Sequence, residues 1–255
     1  MESIYEKIQK IKSGDLKAAL CIVTATKGST PRKTGSKMIV LENGFIHGTI
    51  GGGDLEKEVI KNAKEQIKLK YAQSFKHDLL QQHSMCCGGT MEIYIEPILN
   101  KRSLYIFGAG HTGEALARIM VMLDFEVFII DDRDEFIDAI EIPDINKMKV
   151  NFDEVLPSLP FDDTTFIVIM TYSHPVDRNI LSYCLKQSYA YLGMIGSKRK
   201  VETTKKMFLK GKIATAKELS KIDMPMGFDI NAEGPEEIAI SIAAKLVETK
   251  NHALK

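Results

Sequence analysis

Nothing in this sequence supplies a net charge: 34 basic side chains face 34 acidic ones along 255 residues. No global field therefore favours nucleic acid or an anionic membrane, and any anion binding must come from local clusters. Long apolar runs are missing as well. None reaches the roughly 18 to 20 residues that a membrane-spanning helix requires. The opening MESIYEKIQKIK intersperses charge while setting Ile4, Ile8 and Ile11 on one face. It predicts a folded amphipathic helix rather than a signal peptide, so cytoplasmic residence is the expectation. Cysteine is scarce. Cys21, Cys86, Cys87 and Cys184 are too few and too unevenly spaced for a disulfide framework. An iron–sulfur enzyme with two clusters would need about eight cluster thiolates, which this chain cannot supply. A zinc site would need a second thiol pair or a histidine pair at ligand spacing, and neither occurs. Internal repeats and low-complexity segments are absent too.

What is present divides near Asn100–Ser103, giving expected domains of residues 1–100 and 101–255. The first holds short β-rich runs, AALCIVTAT, SKMIVLENG, FIHGTIG and TMEIYIEPI, with one charged helical stretch, LEKEVIKNAKEQIKLK. Asn43-Gly44 between apolar runs signals a hairpin. A smaller N-terminal α+β domain with a mainly antiparallel sheet follows. After the divide, strand and helix alternate: SLYIFG, a helix carrying Leu116, Ile119, Met120 and Leu123, EVFII, TFIVIMTY, a helix from about Asp177 to Lys186, and AYLGMIG. That pattern predicts an α/β fold with a Rossmann-like, doubly wound parallel sheet. A closing helix is signalled by Pro235, by Glu236 and Glu237 in its first turn, and by Ile238, Ile242 and Leu246 on one face.

The strongest local motif is Gly108-Ala109-Gly110-His111-Thr112-Gly113, which follows a predicted strand and opens a helix. The first glycine permits the tight turn, the second lets backbone amides approach a pyrophosphate, and the third allows close helix–strand packing. Asp131 ends the next strand, about 20 residues on, where a carboxylate would accept from a ribose, and Arg133 stands two residues further. The competing reading is a well-packed turn that binds nothing. His111 either reaches a phosphate or simply satisfies the helix start. Gly196-Ser197-Lys198-Arg199-Lys200 opens another helix with three cations, against the dipole preference for acids there. A bound phosphate would remove the conflict, and a solvated basic face is the alternative. In the first domain, Gly28-Ser29-Thr30-Pro31-Arg32 combines hydroxyls, a fixed turn and a guanidinium. Gly51-Gly52-Gly53-Asp54-Leu55-Glu56 brings a glycine run into a helix. Cys86-Cys87-Gly88-Gly89 sets thiols beside a turn that tolerates positive φ. Each segment singly reads as a turn or a packed thiol; three of them within about 100 residues shift the balance toward binding, because plain turns rarely need Ser-Thr-Pro-Arg or paired cysteines.

These segments, in this order, resemble the XdhC/CoxI family of molybdenum hydroxylase maturation factors. The likeness runs through GSTPRKTGSKM, GTIGGGDLE, CCGGTMEIYIEP, YIFGAGHTGEALA, IIDDR, VIMTYSHPVD, YLGMIGSKRK and PMGFDINAEGPEEIAISIAAKLV. The resemblance implies an accessory protein rather than the finished oxidoreductase. Such a protein transiently binds the molybdenum cofactor (molybdopterin), shields it while its terminal sulfido ligand is installed, and passes it to an apo-enzyme of the xanthine dehydrogenase type. Partners implied are that hydroxylase, a cysteine desulfurase and a second copy of the chain. Cys87 matches the family's Cys-Gly-Gly thiol, Arg32 its Thr-Pro-Arg arginine, and Gly51, Gly52 and Glu56 its Gly-Gly-x-x-Glu segment. Asp54 departs from the pattern, standing where many relatives carry cysteine. The expected cofactor-binding set comprises Ser29, Thr30, Arg32, Gly51, Gly52, Glu56, Cys87, Gly88 and Gly89, then Gly108, Gly110, His111, Gly113, Asp131, Arg133, Ser197 and Arg199. No catalytic residue and no resident metal set are assigned. At the second domain's loop, NAD(P) or the nucleotide of a dinucleotide molybdopterin stays open. The competing function is an NAD(P)-dependent oxidoreductase with His111 or His174 as proton donor, and a third is an interaction scaffold.

Overall fold

The computed structural model describes residues 2–12, 16–81, 88–99 and 101–252. The chain divides into two compact units, Met1–Asn100 and Lys101–Lys255.

In the first unit α1 (Ile4–Lys12) precedes β1 (Ala18–Lys27), β2 (Lys37–Leu41) and β3 (Ile46–Gly48). Then come α2 (Gly53–Leu69), β4 (Gln73–Asp78) and β5 (Thr90–Ile98). The strands form an antiparallel sheet in the order β3-β2-β1-β5-β4. Alternation along the strands decides its two faces. Ala19, Cys21 and Val23 of β1 join Met91, Ile93 and Ile95 of β5 in one buried layer, and α2 lays Leu55, Val59, Ala63 and Ile67 on it. Each large side chain buried there contributes about 1.5–3 kcal/mol. Ala18, Ile39 and Ile98 cluster separately with Ile11 of α1, which confirms the apolar face read from that helix. The β2–β3 hairpin turns at Asn43-Gly44: Gly44 has φ of 91° and the Asn43 Oδ1 accepts from the Phe45 amide at 3.0 Å.

The second unit runs β6 (Arg102–Phe107), α3 (His111–Met120), β7 (Phe125–Asp131), the short α4 (Asp134–Asp138), β8 (Asn146–Lys149) and a single turn, α5 (Phe152–Val155). It continues with β9 (Phe166–Ile169), α6 (His174–Cys184), β10 (Tyr191–Met194), α7 (Lys198–Lys210), the single turn α8 (Ala216–Leu219) and α9 (Gly234–His252). All five strands are parallel, in the order β10-β9-β6-β7-β8. The sheet is covered on both faces, as expected for continuously apolar strands. Leu104 and Ile106 face α3 and α9, whereas Tyr105 and Phe107 face the layer built from α5, α6, α7 and α8. The helix expected from about Asp177 begins three residues earlier, at His174. Pro175 lies in its first turn, where the missing N–H costs nothing because that donor has no carbonyl partner anyway. Among the described residues, no helix is long and apolar enough to cross a membrane.

Candidate functional site

In the first unit, β1 slips register against β5 between Val23 and Ala25 and then runs into the Gly28–Arg32 loop. Ser29 bridges Gly88 in parallel fashion. A Cβ on Gly89 would overlap the Ser29 carbonyl oxygen and stand 2.6 Å from that of Lys27, so only glycine fits this crossing. Gly28, with φ of 76°, meets Gly89 from the other chain segment. Pro31 closes the opposite side: a Cβ on Gly51 (φ 141°) would stand 2.5 Å from the Pro31 Cγ. The three glycine segments of this unit are thus neighbours, joined through Ser29 and Pro31.

Their polar groups fall into two classes. Glu56 shapes the loop before α2: its Oε2 accepts from Thr49 Oγ1 at 2.7 Å, from the Gly52 amide at 3.1 Å and from the Ile50 amide at 3.2 Å. Thr30 likewise turns inward, donating its hydroxyl to the Arg32 carbonyl at 3.0 Å. By contrast, Ser29 and Arg32 are exposed, and among the described residues no acid lies within ion-pair distance of Arg32. Asp54 is exposed and pairs with Lys57 Nζ at 3.0 Å. Cys87 and Cys86, the thiols of the expected set, lie outside the described residues. The other two cysteines are buried, and burial pushes both thiols up to about 12, so they remain protonated packing groups at neutral pH.

In the second unit, the glycine loop follows β6 at the point where strand order reverses, between β6 and β9. That is where an open α/β sheet leaves a crevice at its carboxyl edge. Gly108 (φ 119°) lies against the Met170 backbone at the end of β9, and a Cβ on Gly113 would overlap the Gly108 carbonyl oxygen. The first intrahelical bond of α3 is from the Glu114 amide to the Gly110 carbonyl, at 2.9 Å. The preceding amides of that turn therefore have no helical acceptor, which is what a phosphate needs.

Asp131 does something other than meet a ribose. It is fully buried, accepts from the Ala109 amide at 2.7 Å, and takes a forked pair from Arg133, Nε at 2.9 Å and Nη2 at 2.8 Å. The Arg133 amide adds a fourth bond at 3.1 Å. Burial works to raise this carboxyl, but the Arg133 and Ala109 hydrogen bonds and the guanidinium charge outweigh it and hold it below the usual carboxylate range. Asp131 therefore shapes the glycine loop, and a sequence pattern could not distinguish that role from ribose binding. Arg133 is equally occupied, its guanidinium 3.8 Å from the Phe136 ring centroid and 4.6 Å from that of Tyr172. Tyr172 is half exposed and donates its hydroxyl to Asp132 Oδ2 at 3.2 Å. It stands just beyond the carboxyl end of a central strand, a position that could have marked it in the sequence; nothing marked Phe136.

The remaining expected residues are dispersed. His111 is exposed and lines a separate concavity of about 420 Å³ with Glu114, Arg118, Glu236 and Ile240. Ser197 caps α7, accepting from the Lys200 amide at 3.4 Å, and with Arg199 lines a third cavity together with His174 and Arg178. Beside that cavity Asp177 is buried. Its Oδ1 accepts from the Thr171 hydroxyl at 2.6 Å and amide at 2.9 Å, and its Oδ2 lies 3.5 Å from His174 Nδ1. Burial pushes the Asp177 carboxyl up, against the pull of those bonds.

Residues 104–246 match the model described as the XdhC Rossmann domain, and residues 13–75 match that of the XdhC and CoxI family. The chain is 28% identical over 257 residues to the uncharacterized protein YqeB of Escherichia coli (strain K12), across 98% of this chain and 47% of that protein. To a probable xanthine dehydrogenase subunit of Bacillus subtilis (strain 168) it is 30% identical over 162 residues, across 63% of this chain and 47% of the relative. The chain spans about half the length of the curated relatives it matches. A crystal structure of a xanthine dehydrogenase from Bacillus halodurans shares the fold, with a TM-score of 0.53 at 21% identity, covering 98% of this chain and 96% of that one.

Proposed function

The chain belongs to the XdhC and CoxI family, and on that premise we propose that it is an accessory protein to a molybdenum hydroxylase of the xanthine dehydrogenase type. In this reading it binds the molybdenum cofactor, supports its sulfuration with a cysteine desulfurase, and delivers it to the apo-enzyme. The name of the Bacillus subtilis relative supports the choice of target.

One observation carries the reading. Segments from residues 28–32, 51–56 and 88–89 meet in the first unit, and the exposed guanidinium there has no acidic partner among the described residues. Glycines that admit no side chain keep the backbone bare, and bare backbone can approach a pterin edge or a phosphate tail. Arg32 would pair with the phosphate, since a planar guanidinium matches phosphate oxygens in forked geometry. Cys87, next in sequence to Gly88, is the proposed soft ligand. The cofactor supplies molybdenum redox chemistry, which belongs to the enzyme that receives it.

The test is to purify the chain from cells that make the cofactor and to assay molybdenum and pterin. Both should copurify with the wild type, and Cys87→Ser and Arg32→Ala should lose them. Absence of pterin from the wild type, with no binding on direct addition, would overturn the reading.

A second reading, an NAD(P)-dependent oxidoreductase, is favoured by the Gly108 loop at the strand-order reversal. The same loop also suits the nucleotide of a dinucleotide molybdopterin, because it addresses phosphate without specifying a base. His111 and His174, the donors such an enzyme would use, line two different concavities. Titration with NAD(H), NADP(H) and CTP, together with a hydride-transfer assay, separates these.

A further inference from the structure

We propose that the second unit carries a binding site for a small phosphorylated organic anion in the cavity between α6 and α7. The cavity measures about 340 Å³. Its floor is the carboxyl end of β10, and its walls present His174 and Arg178 from α6 against Ser197, Arg199 and Lys200 from the start of α7. The inference concerns a different unit from the proposed pterin site and does not rest on it.

Charge is the first argument. Arg178, Arg199 and Lys200 have no acid within ion-pair distance among the described residues. Arg118, Arg133, Lys149 and Lys245 of the same unit each meet an acid, whereas the three cavity cations converge from two helices on one concave surface without such a partner among the described residues. The single acid of the cavity wall, Asp177, is buried and already committed to Thr171 and to the neighbourhood of His174. What remains is a concave surface on which three cations outnumber one buried carboxylate. Two of the three stand in the first turn of α7, where the helix dipole itself disfavours cations. Such an arrangement repels itself until an anion enters, and a dianionic phosphate answers all of these terms at once.

Size and topology specify the ligand further. The volume falls within the range of small-molecule sites and exceeds what inorganic phosphate alone would fill. The cavity lies at the carboxyl ends of β9 and β10, in the half of the doubly wound sheet beyond the strand-order reversal. In this fold that half receives the second moiety of a bound dinucleotide. An oxidised nicotinamide ring is cationic and would be repelled there. The same charges attract a sugar phosphate or nucleotide phosphate.

The test uses the full chain and calorimetric titration at fixed ionic strength, with ribose 5-phosphate, pyrophosphate and NAD⁺ as probes and chloride as the reference anion. Ribose 5-phosphate should bind saturably and more tightly than NAD⁺. The Arg178→Ala/Arg199→Ala double variant should weaken it at least tenfold, while Lys217→Ala, an exposed cation outside the cavity, should leave it unchanged. Because neither arginine has an acidic partner among the described residues, the double variant should melt no lower than wild type, so a loss of binding reports the site and not the fold. Absence of saturable binding beyond chloride, equal affinity in the double variant, or equal weakening by Lys217→Ala would overturn the proposal.

Discussion

The carbonyl oxygen of Ser29 occupies the space in which any side chain on Gly89 would have to begin. Gly89 is therefore a packing requirement between two segments some sixty residues apart, and the crossing sets the position of the exposed Ser29–Arg32 turn. Gly89→Ala should force the segments apart and destabilise the first unit by about 1–3 kcal/mol, the usual cost of overpacking. Urea denaturation followed by circular dichroism would measure it. An unchanged midpoint would mean that the crossing yields freely.

Arg32→Ala should behave oppositely. The side chain is exposed and without an acidic partner among the described residues, so stability should stay within about 0.5 kcal/mol of wild type. Cofactor retention should fall about tenfold or more, as for loss of a charged hydrogen bond. In the wild type, binding should weaken with added salt, because a contact to this exposed side chain is screened. Equilibrium dialysis at two salt concentrations reads both effects.

Asp131→Asn keeps an acceptor for the Ala109 amide but removes the ion pair of Arg133. Because Asp131 is fully buried and Arg133 partly exposed, the cost should fall below the 3–5 kcal/mol of a wholly buried pair, at about 2–3 kcal/mol. The folded carboxyl sits below its unfolded value, so the pair's stabilisation is present above the unfolded pKa of about 4. It is lost as pH falls through the folded value. The gap between wild type and variant should be full at pH 7 and shrink progressively below pH 4. A gap independent of pH would show that the pair does not titrate in this way.

Cys21 and Cys184 should resist iodoacetamide in the native protein at pH 8, since burial pushes both thiols up to about 12 and removes access. Mass spectrometry after native and denaturing alkylation reads the labelling of each. Rapid native labelling of either buried thiol would contradict the packing described for its core.

Much of the fold was legible because its signals are local. Ile4, Ile8 and Ile11 announce a helix face, Asn43-Gly44 a hairpin, and Leu104 to Phe107 a strand buried on both sides. The glycine loop after β6 was equally legible, since a positive φ at Gly108 and a close approach at Gly113 demand glycine wherever they occur. The destination of charged side chains was not. Asp131 and Glu56 stand at the positions a ligand contact would require, yet Glu56 is turned onto the loop before its helix and Asp131 onto the Ala109 amide and Arg133. Tyr172 and Phe136 enclose Arg133, although neither belongs to a motif.

The amino-acid order by itself determined which segments become strands and helices, where the two units divide in composition, and that the chain turns at Asn43-Gly44, because those depend on neighbours within a few residues. Tertiary structure alone decided that Gly28, Gly51 and Gly89 serve one loop cluster, that Arg199 joins Arg178 across a cavity, and that Asp131 accepts from the Ala109 amide. Those outcomes depend on distances between parts of the chain far apart in sequence, and side-chain charges pair with whatever folding brings within reach.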